Sequence, residues 1–231
     1  MKTIWLLFFN CLAVITFAQN SAFDLIKDVN QKFKSVNSYI AQVQIKTDVS
    51  FIKMLPVQAT IYFKQPDKLH LESKGIAMLP KQSPQFFLHN INQNDYLCIE
   101  IDKQIIDGYN CKGIKVIPLN EGSDLVLATL FIDPLNLVLR KAQITSRSNG
   151  TILMLFKYDK YLKQQLPDAV TFELDVAKFK IPKVVAADLE NTKTNTDNIK
   201  NKRGTVTINY KSYQLNVPIS DTFFEKVNHK K

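Results

Sequence analysis

The side chains that could do chemistry are few and scattered along this chain. Its three histidines, His70, His89 and His229, lie far apart, and none is spaced with cysteines or carboxylates as metal ligands usually are. Glu100 and Asp102 could share one face of a strand, but ordinary alternation in an exposed strand explains that pair. No Gly-x-Ser-x-Gly elbow, phosphate loop or zinc motif occurs in the sequence. We therefore expect no enzyme, no cofactor and no metal site.

Two cysteines, Cys98 and Cys111, could form a disulfide. They are equidistant from a turn expected near Gln104 and Ile105, so a hairpin would place them opposite each other. A bridge that closes so short a loop would stabilise the fold by about 3 kcal/mol. The alternative is that both are small buried hydrophobic residues, and the sequence favours neither.

The first eighteen residues are typical of an export signal. Lys2 gives a positive start, an apolar stretch follows from Ile4, and the segment ends on the small residue Ala18. This stretch is too short to span a bilayer. We expect residues 1–18 to be removed and residues 19–231 to form one exported domain. The net charge of +9 suits acidic ligands or an anionic membrane surface, whereas export argues against nucleic acid as a partner.

One amphipathic helix is predicted near the start, because Ala22, Ile26, Val29 and Phe33 recur at helical spacing after Ser21. From residue 38 the hydrophobic period changes to two, which indicates antiparallel strands joined by turns. The predicted strands cover residues 39–45, 57–63, 69–73, 95–101, 111–117, 125–132, 138–146, 151–158, 169–176 and 205–210. A polar stretch around 178–203 is expected to be a mobile insertion.

Two predicted strands, 125–132 and 151–158, are apolar at almost every position. A strand that is apolar throughout must bury both of its faces, which parallel sheets achieve by packing helices on each side. This chain has only one good amphipathic helix. One face of the sheet therefore lacks an obvious partner within the chain, and a bound apolar ligand would supply one.

Two connections between strands are apolar, although loops are normally polar. Met-Leu-Pro occurs in both, at 54–56 and 78–80, and Phe86-Phe87-Leu88 extends the second. Methionine-rich surfaces adapt to different ligands. Either loop alone could simply cover the end of the core. Together they predict the rim of a ligand cavity, formed by Met54, Leu55, Met78, Leu79 and Phe87.

Several short motifs follow one another in a familiar order and spacing. They are Lys64-Gln65-Pro66-Asp67-Lys68-Leu69, Phe131-Ile132-Asp133-Pro134 with 137–141 after it, the Asn149-Gly150 turn, and the segments 166–172 and 209–216. In this order they resemble the periplasmic outer-membrane lipoprotein carrier family and its lipoprotein-sorting branch. The resemblance extends over nearly the whole chain after residue 18.

The resemblance implies an α+β fold in which an antiparallel sheet curls into an unclosed half-barrel, with helices covering its concave apolar face. It also implies a periplasmic monomer that shields the acyl chains of a lipoprotein or lipid and touches transport components of the inner and outer membranes transiently. Burying a methylene is worth about 0.8 kcal/mol, so a chain of roughly 16 carbons represents on the order of 10 kcal/mol of unfavourable exposure.

The predicted acyl cavity is lined by apolar residues of the early and central strands. We choose Val43, Ile45, Ile61, Phe63, Leu71, Met154 and Phe156, on an assumed inward parity for each strand. An alternative function is a periplasmic sensor or protein-interaction module that uses the same cavity. A third is a structural domain whose core is fully packed.

Overall fold

The computed structural model describes residues 21–49, 52–53, 55–73, 88, 91–92, 94–148, 150–175 and 203–228. The predicted export signal lies outside these residues, and so do Met54, Met78, Leu79 and Phe87. The predicted insertion at 178–203 also lies outside them, apart from Arg203, which begins the last strand.

Eleven strands form one antiparallel sheet in the part of the chain that is described. They are β1 (Ser38–Val49), β2 (Ile52–Lys53), β3 (Val57–Lys64), β4 (Lys68–Ser73), β5 (Tyr96–Ile106), β6 (Tyr109–Pro118), β7 (Leu125–Asp133), β8 (Val138–Ser146), β9 (Gly150–Lys157), β10 (Ala169–Asp175) and β11 (Arg203–Leu215). Their order is β4-β3-β1-β11-β10-β9-β8-β7-β6-β5, and β2 pairs with β1. The sheet is open, as predicted, because β4 and β5 end this order without pairing to each other.

Helices are few among the described residues. They are α1 (21–33), α2 (Asp221–Asn228) and a short 3-10 turn (Leu162–Gln164). The class is therefore mostly β, where we expected α+β. Within the described ranges, no helix has the length and apolar character needed to cross a bilayer.

Strand β1 lies inside the sheet because strands from both ends of the chain flank it. It pairs with β3 on one side and with β11 on the other. The register places Tyr39 opposite Leu215 and Ile45 opposite Ile208, with a bulge after Gln42. In the strand order, β1, β3 and β4 are therefore connected to β10 and its neighbours through β11, the last strand of the chain.

One face of the sheet forms the core. In β1 and β3, Ala41, Val43 and Ile61 are buried, and β7 to β11 continue this layer. The opposite face is only partly covered by described residues: Leu153 and Leu155 are half-buried, although Met154 and Phe156 between and beside them in β9 are buried. The sequence analysis left one face of the apolar strands without an obvious partner within the chain, and in β9 the residues Leu153 and Leu155 on the second face are only half-buried.

Helix α1 packs on the buried face. Its Phe33 ring lies 5.8 Å from the ring of Phe63, measured between centroids. Lys32 Nζ donates a hydrogen bond to the carbonyl of Asn136 at 2.7 Å, which ties the helix to the β7–β8 turn. Gln65 Nε2 donates to the carbonyl of Val36 at 2.8 Å, just beyond the helix end. The side chain of Gln65 thus fixes the connection between α1 and β1.

Helix α2 packs against the opposite face and was not predicted. Its Phe223 ring lies 4.8 Å from that of Tyr62. Asp221 forms ion pairs with Lys64 at 2.7 Å and with Lys68 at 2.9 Å. These groups are partly exposed, so the pairs contribute little to stability. Phe223 also lies 5.6 Å from the ring of His70, measured between centroids.

Of the two alternatives that the sequence left open for the cysteines, the structure has the buried free thiols. The β5–β6 hairpin turns at Asp107 and Gly108, whose φ angles of 48° and 82° suit a two-residue hairpin turn. Cys98 therefore lies opposite Val116, five residues along β6 from Cys111. Since side chains alternate along a strand, the two sulfur atoms face opposite sides of the hairpin. Both thiols are free and buried.

We expect both cysteines to react with iodoacetamide only after unfolding. Burial raises the pKa of the Cys98 thiol to about 11, and burial likewise raises that of Cys111, so neither forms the reactive thiolate near neutral pH. Mass spectrometry of peptides from protein unfolded without reductant should find one label on each residue. Labelling that requires reductant would show that a disulfide exists after all.

Candidate apolar binding site

The structure brings the predicted lining residues to one face. Val43, Ile45, Ile61, Phe63, Met154 and Phe156 are all buried there, and Leu71 is partly buried against them. This is the face on which α1 packs. Most of these side chains are packed in the core, and among them Phe156 lines a small cavity.

A small cavity lies between α1 and the sheet. Its volume is about 30 Å³, and its walls are Val29, Asn30, Phe33, Leu88, Leu137, Val138, Leu139, Phe156, Tyr158 and Gln165. A space of this size holds about two water molecules. An acyl chain does not fit while α1 stays in this position.

Each wall of the cavity comes from a different element. Helix α1 contributes Val29, Asn30 and Phe33, and Asn30 Nδ2 donates to the carbonyl of Leu88 at 2.7 Å. At the sheet side, the Tyr158 hydroxyl donates to the carbonyl of Leu139 at 2.9 Å. Burial raises the pKa of Tyr158, so this hydroxyl remains a donor at all ordinary pH values. The polar groups of the wall are thus largely paired.

A buried ion pair fixes the β7–β8 turn that supplies Leu137 to the cavity. Asp133 and Arg140 are each 2% exposed, and Arg140 donates from Nε and Nη2 to Asp133 Oδ2 at 3.0 and 2.8 Å. Asp133 Oδ1 accepts hydrogen bonds from the backbone N–H groups of Leu135 and Asn136, both at 3.1 Å. One carboxylate therefore holds both the turn and the arginine.

The surroundings of Arg140 complete this arrangement. Its guanidinium lies 3.3 Å from the centre of the Tyr109 ring, a favourable cation–π position. Burial would raise the pKa of Asp133, but hydrogen bonds from Asn136 and Arg140 outweigh it and hold that pKa below its usual value. The pair thus stays ionised beneath the turn, and its position indicates a structural role.

Gln165 is the unusual residue of the cavity wall. It is 4% exposed and follows the 3-10 turn with a left-handed φ of 57°. Its Nε2 donates to the carbonyl of Leu137, another wall residue. Its Oε1 is buried and accepts no hydrogen bond from any described residue.

The rest of the predicted site is only partly visible. Of the five predicted rim residues, Leu55 alone is described, and its side chain is 85% exposed. Leu88, which follows the predicted rim residue Phe87, is buried and lines the cavity. Among the described residues, no three histidine, cysteine or acidic side chains are grouped as metal ligands would be.

Sequence reasoning could have found some of the missed wall residues but not others. Val29 and Phe33 lie on the apolar stripe of the predicted helix, so that stripe already marked them. Leu137 sits in a turn, and Gln165 is a polar residue in a connection. Neither position carries a pattern that predicts burial.

The fold resembles several solved structures. A DUF1329 family protein from Desulfovibrio piger matches with a TM-score of 0.60 at 10% identity, over 91% of this chain and 98% of that one. A domain from Vibrio parahaemolyticus, described as an outer membrane lipoprotein-sorting protein, matches with a TM-score of 0.56 at 9% identity, over 92% and 100%. A LolA superfamily protein from Nitrosomonas europaea matches with a TM-score of 0.53 at 12% identity, over 86% and 96%.

These likenesses agree with the family that the sequence motifs resemble. At such low identity they establish a shared fold. No family model matches the sequence. No characterised protein matches it at a significant level either.

Proposed function

We propose that this protein is a periplasmic carrier or binding protein that shields the acyl chains of lipoproteins or lipids. Its ligand would lie on the buried face of the open sheet, between the sheet and α1. The role is one of binding and protection, without catalysis.

One observation carries the proposal: a single apolar layer runs across an open sheet, and the described helix that packs on it is short. The layer extends from Ile61 in β3 to Val116 in β6. Helix α1 covers part of it with six apolar side chains, three of them buried and three partly buried. An acyl chain could replace those contacts at little cost, because hydrophobic burial has no directional requirement.

The proposal requires α1 to move when a ligand enters. The cavity of about 30 Å³ is far smaller than an acyl chain. The described polar contacts that hold α1 are few: Lys32 to Asn136, Asn30 to Leu88, and Gln65 to the carbonyls of Phe33 and Val36. Each hydrogen bond contributes about 1 kcal/mol net, so these polar contacts alone do not hold α1 against ligand burial of on the order of 10 kcal/mol.

Native mass spectrometry tests this proposal directly. We expect protein purified from its own periplasm to carry an added mass, and lipid extraction should release acylated peptide or phospholipid. A mass that corresponds to the polypeptide alone, together with no uptake of added acylated peptide, would rule out the carrier function.

A second candidate is a protein-interaction or sensor module. Edge strand β5 favours it, since among the described residues β5 pairs only with β6 and exposes Ile99 and Ile105. Such an edge can accept a strand from a partner. In the same mass spectra this function would appear as a stable complex with another protein and no released lipid.

A further inference from the structure

The orientation of the Gln165 amide follows from its neighbour. The carbonyl of Leu137 can only accept a hydrogen bond, so the donor Nε2 must face it. The acceptor Oε1 is therefore left without a donor from the described residues, in a wall that is otherwise mostly apolar. A buried acceptor of this kind is rare in folded proteins and calls for a partner.

The position of Gln165 suits a ligand group. Both Gln165 and Leu137 belong to connections between strands, not to α1. The acceptor can therefore stay in place when α1 moves away and a ligand enters. The other polar side chains of the wall direct hydrogen bonds elsewhere, since Asn30 Nδ2 donates to Leu88 and the Tyr158 hydroxyl donates to Leu139.

We propose that Gln165 Oε1 receives a hydrogen-bond donor carried on the ligand's alkyl chain, such as the N–H of an acyl amide. The inference rests on the proposed function and narrows it. The ligand class is an acyl chain joined to an N–H or O–H group, as in an N-acylated peptide, while a chain joined only through an ester lacks the donor. The apolar wall residues contact the alkyl chain of the ligand, and Gln165 accepts a hydrogen bond from the group to which that alkyl chain is attached.

Isothermal titration calorimetry with two matched ligands tests this inference. N-ethyl dodecanamide and ethyl dodecanoate have the same length, but only the amide has an N–H donor. We expect the purified protein to bind the amide about tenfold more tightly, because the ester leaves Oε1 buried and unpaired. In Gln165→Met, this preference should shrink to about twofold or less, as expected when the acceptor is removed.

Gln164→Met is the matched control. Its Oε1 is also buried without a partner among the described residues, but Gln164 does not line the cavity. The control should keep the preference for the amide. Thermal unfolding of each variant checks that it folds. The comparison of the two ligands on the unaltered protein tests the inference even if a variant does not fold.

The possible results separate the two proposals. If both ligands bind with equal affinity, or if the amide preference survives in Gln165→Met, the role of Gln165 is overturned while acyl binding stands. If neither ligand binds, the proposed function itself fails and the role of Gln165 fails with it.

Discussion

Replacing Arg140 with methionine is expected to lower the free energy of unfolding by about 3–5 kcal/mol. Arg140 and Asp133 are almost fully buried, and the substitution leaves the Asp133 carboxylate without its charged partner. It also removes the cation over the Tyr109 ring. Urea denaturation followed by circular dichroism measures the loss.

Arg147 provides the matched control, because it is exposed and pairs only with backbone. Its Nε and Nη2 donate to the carbonyls of Ser123 and Glu121, both at 3.1 Å. Arg147→Met should cost about 1 kcal/mol or less, as is usual for exposed polar contacts. Equal losses in the two variants would mean that the buried pair does not hold the β7–β8 turn.

The same pair gives stability a defined pH dependence. The pKa of Asp133 is lower in the folded protein than the value of about 3.9 typical of an unfolded chain. Its contribution to stability is therefore complete above that unfolded value and is lost as the pH falls through the folded pKa. Between pH 5 and pH 2, the unaltered protein should lose stability more steeply than Arg140→Met, since the variant no longer lowers this pKa to the same extent.

Phe156→Ala is expected to lower stability about as much as Arg140→Met does. It is also expected to increase the space available to a ligand. Phe156 is 1% exposed and borders the cavity, so its removal should cost about 3–5 kcal/mol and enlarge the open space. An acyl ligand can fill the new space. Added N-ethyl dodecanamide should therefore raise the unfolding temperature of this variant more than that of the unaltered protein, by the linkage between binding and stability.

Phe172 distinguishes a ligand effect from a general loss of packing. It is buried on the same face, opposite Met154, but it does not line the cavity. Phe172→Ala should lose similar stability without gaining extra stabilisation from the ligand. If both variants respond to the ligand alike, the cavity next to Phe156 is not where the acyl chain enters.

The strands were predictable because their signal is local. Period-two alternation identified β1, β3 and β4, and the order of turns implied an antiparallel sheet. The pairing of β1 with β11 was not predictable in this way, because it joins segments that no turn connects. Helix α2 was missed because it is short and is attached through contacts with distant residues, such as those of Phe223 with Tyr62 and His70.

The errors have specific physical causes. The cysteine register was wrong because Asp107-Gly108 is a stronger turn signal than Gln104-Ile105, and a bulge between Ile101 and Gln104 shifts the strand further. The small cavity could not be predicted, because it depends on how α1 sits over the β7–β8 turn. Gln165 became a wall residue through a left-handed backbone conformation that its sequence context does not predict.

The place of β1 between β3 and β11 has a consequence for how the protein is made. Strand β1 is synthesised early, whereas β11 begins only at Arg203. Until β11 arrives, one edge of β1 and one edge of β10 are open, and both can pair with the wrong strand. Pairing β11 with β1 closes a loop that contains most of the chain. This closure is slow, because the chain loses conformational entropy before the contacts that offset the loss are formed. The pairing of β11 with β1 and β10 therefore completes the sheet last. Before that step, the chain is prone to aggregate through the open edges of β1 and β10, which are interior strands in the folded protein.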